Sequence, residues 1–340
     1  MMMSKLRYLF SLYGASLHYQ LFSRKLHVLL ISDGLGTLLR AKLGKDRLRT
    51  ALVGHDPRIL SLTEAIWDSG FDISFFQGGS NDQMHPSRPL QDLDVGAFDV
   101  ILVSDEDPAK EAEFLGKLAG AKLPVVPLGR LLNAHLKALN EIPRGSGGTC
   151  LNPRKQALVA AALAISDPAG IVLECGVYMG GTTVYMAHLQ RHLGMARPIY
   201  ALDTYEGMPE PTQKDFGSGF VYTAGMFSDN HEQTVRKVYK SAGVQDQIEV
   251  VPGLCQETLP TVVSNSRHIA FALLDTDQYA GTKGGLDSIG DKLRADGIVI
   301  VDDTSVHGVD TAIKEALMSD PSLMRRPLAM NFDAIFTSRP

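Results

Sequence analysis

Cysteine is scarce in this chain. Cys150, Cys175 and Cys255 are the only three in 340 residues, too few and too scattered for a disulfide framework or a Cys-based zinc cluster, and suited to a reducing cytoplasm. Long apolar runs are missing as well. Stretches such as Ile298–Val301 fall far short of the roughly 20 residues that cross a bilayer, and no secretory h-region precedes a small-residue cleavage site, so a soluble, cytoplasmic protein is expected. Positive charge is in deficit. With a formal net charge of -5, the chain lacks the basic excess that a polyphosphate partner calls for, which argues against nucleic-acid binding. No complete G-x-G-x-x-G followed by a ribose-binding acid is present, which argues against a nicotinamide-dependent oxidoreductase.

What is present is material for packed interiors. Hydrophobic residues make up 44% and charged residues 21%, a balance that excludes disorder, and the length suits two cores because domains cluster at roughly 100–200 residues. The charge is uneven: residues 1–58 hold ten Lys and Arg against three Asp. Within that basic start, Leu6, Leu9, Phe10, Leu12, Tyr13, Leu17, Leu21 and Phe22 form an apolar stripe at helical spacing flanked by Lys5, Arg7, Arg24 and Lys25. Such a stripe either docks on its own domain or a second copy of the chain, or rests on a membrane surface; the first reading is adopted, because these stripes usually mark core-facing helices.

From about Arg49 the pattern alternates strand and helix. Thr50–Gly54, Phe71–Phe76, Phe98–Ser104 and Pro124–Leu128 read as buried strands, with Leu60–Ser69 a helix, which predicts a small Rossmann-like α/β domain over 49–149. Its strand ends carry Val53–Asp56, Gln77–Ser80 and Ser104–Asp107, for which ordinary caps and turns suffice. The run Ile142–Thr149 concentrates Pro, Gly and Ser and reads as a linker. Beyond it, a helix over Arg154–Ile165 and strands at Gly170–Cys175, Pro198–Leu202, Gln247–Val251, Ile269–Leu274 and Gly297–Val301 predict a second α/β domain over 150–340. Pro327–Asn331 and Ala334–Thr337 are expected to close it as an antiparallel edge pair.

Three signals for chemistry lie in the second domain. Its first strand ends in Glu174 and runs through Gly176, Gly180, Gly181 and Thr182 into a helix, a turn at which a ligand can approach the backbone beyond the strand ends. The next strand ends in Asp203, placed to accept ribose hydroxyls of a nucleoside lying there. Finally, Asp275 and Asp277 close the fourth strand and Asp302 and Asp303 the fifth. Clustered carboxylates repel unless a cation sits among them, and an oxygen-only set favours Mg²⁺, or else Mn²⁺ or Ca²⁺, over zinc. One such acid alone would read as a helix cap.

These residues resemble a known family. Glu174-x-Gly176 with Gly180-Gly181, Asp203-Thr-Tyr-Glu-Gly-Met-Pro209, Gly253-x3-Glu257-Thr-Leu-Pro260, Leu274-Asp-Thr-Asp-Gln-Tyr279 and Val301-Asp302-Asp303 are similar to the macrocin O-methyltransferase family, over roughly residues 151–340. The resemblance implies a class I, Rossmann-like, S-adenosylmethionine- and Mg²⁺-dependent O-methyltransferase acting on a sugar, glycoside or other polyhydroxylated small molecule. It implies that Glu174, Gly176, Gly180, Gly181 and Thr182 hold the amino-acid end of S-adenosylmethionine, that Asp203 holds the ribose, and that Asp275, Asp302 and Asp303 hold the metal. Metal chelation of a diol-like acceptor would make Asp275 catalytic, and His307, four residues past Asp303, is the proton acceptor this reading proposes ahead of Lys283 and His231.

Between Gly207 and Asn230, Gly, Pro and aromatic residues accumulate, a composition expected of a lid or acceptor pocket. Where the family usually has an aromatic pair after Gly253, this chain has Leu254 and Cys255, so the pocket wall differs there, and Cys255 reads as a packing residue. Two alternatives stay open: a relative on the same nucleoside fold that does not transfer methyl groups, such as a hydroxylase, and a sensor that recruits a partner through its first domain. Apolar helices at the start hint at self-association.

Overall fold

The computed structural model describes residues 23–56, 59, 70–76, 87–143, 149–217, 219–266, 268–328 and 331–339. The apolar stripe over 6–22, the helix expected at 60–69, the strand end 77–80 and most of the linker lie outside them. None of the helices among the described residues is long and apolar enough to cross a membrane.

The described residues open on helix α1 (Ser23–Leu43) and build a first sheet from β1 (Leu48–Val53), β2 (Phe71–Phe76), β3 (Val100–Val103) and β4 (Val125–Pro127). These run parallel in the order β2-β1-β3-β4. Fully buried runs such as Val100–Val103 are what a sheet covered on both faces requires. Helix α2 (Pro108–Leu118) starts where the Asp107 carboxylate accepts the Ala109 N–H and Pro108 takes the first helical position. Helix α3 (Leu128–Asn140) follows β4 directly.

Helix α4 (Pro153–Ile165) begins at an Asn152 cap whose side chain accepts two backbone N–H groups. The second sheet comprises β5 (Ile171–Cys175), β6 (Ile199–Asp203), β7 (Ile248–Pro252), β8 (Ile269–Leu274), β9 (Leu293–Val301), β10 (Leu323–Pro327) and β11 (Asp333–Thr337). Between them lie α5 (Gly181–Leu193), α6 (Glu232–Ser241), α7 (Cys255–Ser264), α8 (Tyr279–Gly290) and α9 (His307–Ser319). The strand order is β10-β11-β9-β8-β5-β6-β7, with β11 antiparallel to both neighbours. This is the mostly parallel sheet with an antiparallel edge pair expected of the second half of the chain. Between β5 and β8 the order reverses, which opens a crevice at the carboxyl ends of the strands.

The edge pair differs from expectation. Its first strand is Leu323–Pro327, four residues before the apolar run at 327–331, because Arg325 is held there by ion pairs to Asp333 and Asp310 that a hydropathy pattern does not display. Strand β9 starts at Leu293, its exposed Arg294–Asp296 segment extending the buried part.

One hydrophobic cluster spans both sheets' helices, taking in Leu35 and Leu38 of α1, Leu131 of α3, Ala160 of α4 and Tyr185 of α5. A polar chain threads it: His27 Nδ1 lies 3.0 Å from His135 Nε2, His135 Nδ1 lies 2.6 Å from the Tyr185 hydroxyl, and that hydroxyl donates to the Gln156 carbonyl at 3.2 Å. Burial, with His27 alongside, pushes the His135 imidazole down to about 3.

Candidate active site

A cavity of about 320 Å³ opens beyond the ends of β5, β6, β8 and β9, lined by Gly176, Asp203, Asp275, Asp277, Asp302 and Asp303 among others. The turn after β5 is dictated by close approach. Gly176 adopts φ +90°, and a Cβ on it would stand 1.8 Å from the Asp275 carbonyl oxygen, so no other residue lets β5 and β8 end side by side. Gly180 (φ +81°) caps α5 with no room for a side chain, since a Cβ would meet the Tyr239 ring at 2.8 Å.

Asp203 organises that turn. Its Oδ2 accepts the backbone N–H groups of Val177 (2.7 Å) and Tyr178 (3.0 Å), and its Oδ1 that of Tyr205 (2.8 Å). The Thr204 hydroxyl also donates to Oδ1, at 3.4 Å, and since a carboxylate has about four acceptor positions, the turn and its neighbours engage them all, and a ligand donor would share or displace one of these contacts. Glu174 lies behind the turn, buried, hydrogen-bonded to the Thr183 hydroxyl, which also accepts from Tyr239 OH at 2.9 Å. Burial lifts its carboxyl to about 8, a hydrogen bond from Thr183 opposing. Thr182 donates to the Thr149 hydroxyl at 3.1 Å. Of the residues expected to hold the cofactor, then, Gly176 and Asp203 line the cavity, whereas Glu174, Gly180, Gly181 and Thr182 shape it from outside.

The four aspartates do come together. Burial, and then the charges of Asp302 and Asp277, push the Asp275 carboxyl well above the ordinary range; burial, and then Asp303 and Asp302, do the same to Asp277. Asp302 rises to about 6 through burial, with Lys155 pulling the other way. Asp277 (φ +59°) and Asp303 (φ +50°) both hold left-handed backbone conformations, strain of the kind that accumulates at functional sites. Among the described residues, the one cation lining the cavity is Lys155. Its Nζ is hydrogen-bonded to Asp302 Oδ1, 3.6 Å from Asp303 Oδ1 and 4.7 Å above the Phe332 ring.

Among the described residues no three His, Cys, Asp or Glu side chains stand in the spacing of a metal-ligand set. The donor chemistry of Asp275, Asp302 and Asp303 nevertheless fits a hard divalent cation, and an ammonium already stands in for one against two of the three. A nucleoside fits where Gly176, Gly207, Gly253, Leu254 and Cys255 bare backbone and apolar surface along the cavity wall.

His307 is not part of this rim. Helix α9 begins at His307 and carries its ring onto Gly217, where a Cβ would strike it at 2.3 Å, and it does not line the cavity. Lys283 pairs with Asp287 along α8 at 2.5 Å, away from the acids. The segment over 207–230 covers the opening. Tyr222 OH donates to Asp303 Oδ2 at 2.7 Å, and Gln278 Nε2 donates to the carbonyls of Pro209 (3.0 Å) and Tyr222 (2.9 Å). Rings of Phe220, Tyr222, Phe227 and Tyr178 follow one another at centroid distances of 5.0, 6.1 and 5.3 Å. Cys255 packs in the core as expected. Lys155 was not foreseen. The signal was there: the first turn of α4 holds no acid and two cations, Arg154 and Lys155, against the preference of a helix N-terminus for negative charge.

Residues 154–322 match the macrocin O-methyltransferase (TylF) family. Over this half of the chain the sequence is similar to that family. A 151-residue segment is 29% identical to the 8-demethyl-8-(2,3-dimethoxy-α-L-rhamnosyl)-tetracenomycin-C 4'-O-methyltransferase of Streptomyces olivaceus, covering 43% of this chain and 57% of that relative. Among solved structures, CalS11, a calicheamicin methyltransferase, aligns with a TM-score of 0.46 at 22% identity over 68% of this chain and 94% of its own. The O-methyltransferase NovP aligns with a TM-score of 0.42 at 22% identity, over 50% and 72% respectively.

Proposed function

We propose that this protein is an S-adenosylmethionine-dependent, Mg²⁺-dependent O-methyltransferase of the macrocin O-methyltransferase family whose acceptor is a sugar hydroxyl of a glycosylated natural product. The observation that carries this reading is the acid rim: Asp275, Asp277, Asp302 and Asp303 meet at the mouth of one cavity at the switch point of the sheet, beside a glycine turn. The match to the family model and the O-methyltransferase activity on a rhamnosyl-tetracenomycin in the name of the Streptomyces olivaceus relative support the acceptor class.

S-Adenosylmethionine, when bound, supplies an electrophilic methyl group on sulfur, and a divalent ion held by Asp275, Asp302 and Asp303 lowers the pKa of a nearby hydroxyl. Gly176 and Asp203 position the turn along which the cofactor lies, and Gln278 and Tyr222 hold the covering segment over the opening, which excludes water. Asp277, which lines the same cavity, would take up the acceptor hydroxyl proton on a carboxylate oxygen. Asp277 takes the role first assigned to His307, because it lines the cavity and His307 does not. Alignment of acceptor and methyl is the chief contribution of the protein.

The test is incubation with S-adenosylmethionine, Mg²⁺ and a panel of rhamnosylated and other glycosylated aromatic polyketides, read by mass spectrometry. A gain of one methyl group that chelation abolishes is expected. Binding of S-adenosylhomocysteine without transfer to any polyol would favour the sensor reading instead.

A further inference from the structure

Lys155 stands where a metal-binding rim would be expected to hold no cation. Its side chain is nearly buried, at 13% exposure, and is fixed from three sides: by Asp302, by Asp303 and by the face of the Phe332 ring. The neighbouring Arg154 pairs elsewhere, its guanidinium 3.5 Å from Asp33 of α1, so the first turn of α4 bridges α1 and the acid rim. Two of the three carboxylates assigned to the divalent ion are therefore engaged by an internal ammonium. A divalent ion entering there meets a positive charge at the distance of an ion pair, in surroundings with little water to screen it.

We infer that Lys155 is a built-in counter-cation of the metal site, which holds Asp302 and Asp303 in the metal-free protein and must leave them before a divalent ion binds. The inference rests on the metal-dependent reading above. Lys155 thereby sets the affinity for the ion: it keeps the repelling carboxylates together in its absence and competes with it when it arrives. The exchange is ammonium for divalent ion at two carboxylates, with no bond made or broken.

The test uses the full chain and Mn²⁺ itself as probe, its binding followed by loss of the free-ion electron paramagnetic resonance signal, with thermal unfolding as a check of folding. Lys155→Met keeps the apolar stem and removes the charge, and should bind Mn²⁺ at least tenfold more tightly than the unaltered protein. Lys155→Arg, which keeps the charge, should bind it within about threefold of the unaltered protein and serves if the Met variant does not fold. Equal or weaker Mn²⁺ binding by a folded Lys155→Met, or tightening by the Arg variant, overturns the inference while leaving the metal site in place. Absence of Mn²⁺ binding in all three proteins removes the metal reading, and the inference with it.

Discussion

The two sheets end in acids of similar number and put them to opposite use. At the first sheet, Ser104 donates to Asp56 at 2.8 Å, Asp105 accepts the N–H groups of His55 (2.9 Å) and Asp107 (3.0 Å), and Glu111 accepts that of Arg130 at 3.0 Å. Those carboxylates satisfy turns and caps. At the second sheet Asp203 is spent that way and Asp302 in part, accepting the Asp303 N–H at 2.6 Å, while Asp275, Asp277, Asp302 and Asp303 line one cavity in which, among the described residues, Lys155 is the one cation. Like architecture thus yields a scaffold at one edge and a reactive rim at the other, and the difference lies in how many donors meet the acids.

Removing a carboxylate from the rim should produce the largest effect. Asp275→Ala is expected to abolish Mg²⁺-dependent turnover while S-adenosylmethionine affinity stays within about tenfold, a change of about 1.4 kcal/mol or less; parallel kinetic and calorimetric measurements separate the two. Asp203→Ala should do the reverse. The loss of charge-assisted bonds to the turn is expected to weaken cofactor binding by about 1.5–3 kcal/mol, measured by calorimetry, and unchanged affinity would remove Asp203 from the cofactor site.

Two buried groups set opposite pH limits on the two regions. Glu174 has a folded value of about 8 against an ordinary 4.5, so the folded state holds the extra proton. Its contribution is complete below about 4.5 and is lost as pH rises through 8. Glu174→Gln should therefore unfold at a higher temperature than the unaltered protein at pH 9, with the gap closing near pH 5. His135, with a folded value of about 3 against an ordinary 6.5, acts in the other direction: stability is present above 6.5 and is lost as pH falls toward 3. His135→Gln should flatten that acid limb of the unfolding profile. The smallest effect belongs to the first sheet. Asp105→Asn should cost about 1 kcal/mol of stability and leave turnover unchanged; a loss of turnover would place that edge in the active site.

Much of this was legible from residue order. Buried strands such as Ile269–Leu274 announce themselves because both faces are covered, and acids at their ends mark the rim. Roles were less legible than positions. Glu174 sits at the right strand end, yet its side chain turns inward to Thr183, which depends on a tertiary contact across nine residues that no local pattern encodes. His307 follows Asp303 closely in sequence, but the helix that starts there swings its ring onto Gly217. Lys155 lies in a different helix and meets Asp302 only through the fold.

The most direct test of the contrast between the two edges is calorimetric titration of S-adenosylhomocysteine into the unaltered protein, Asp203→Ala and Asp105→Asn. One binding site, weakened by at least tenfold in Asp203→Ala and unchanged in Asp105→Asn, is the predicted result. Absence of binding, or equal weakening by both substitutions, would contradict the assignment of the second sheet's edge as the working site.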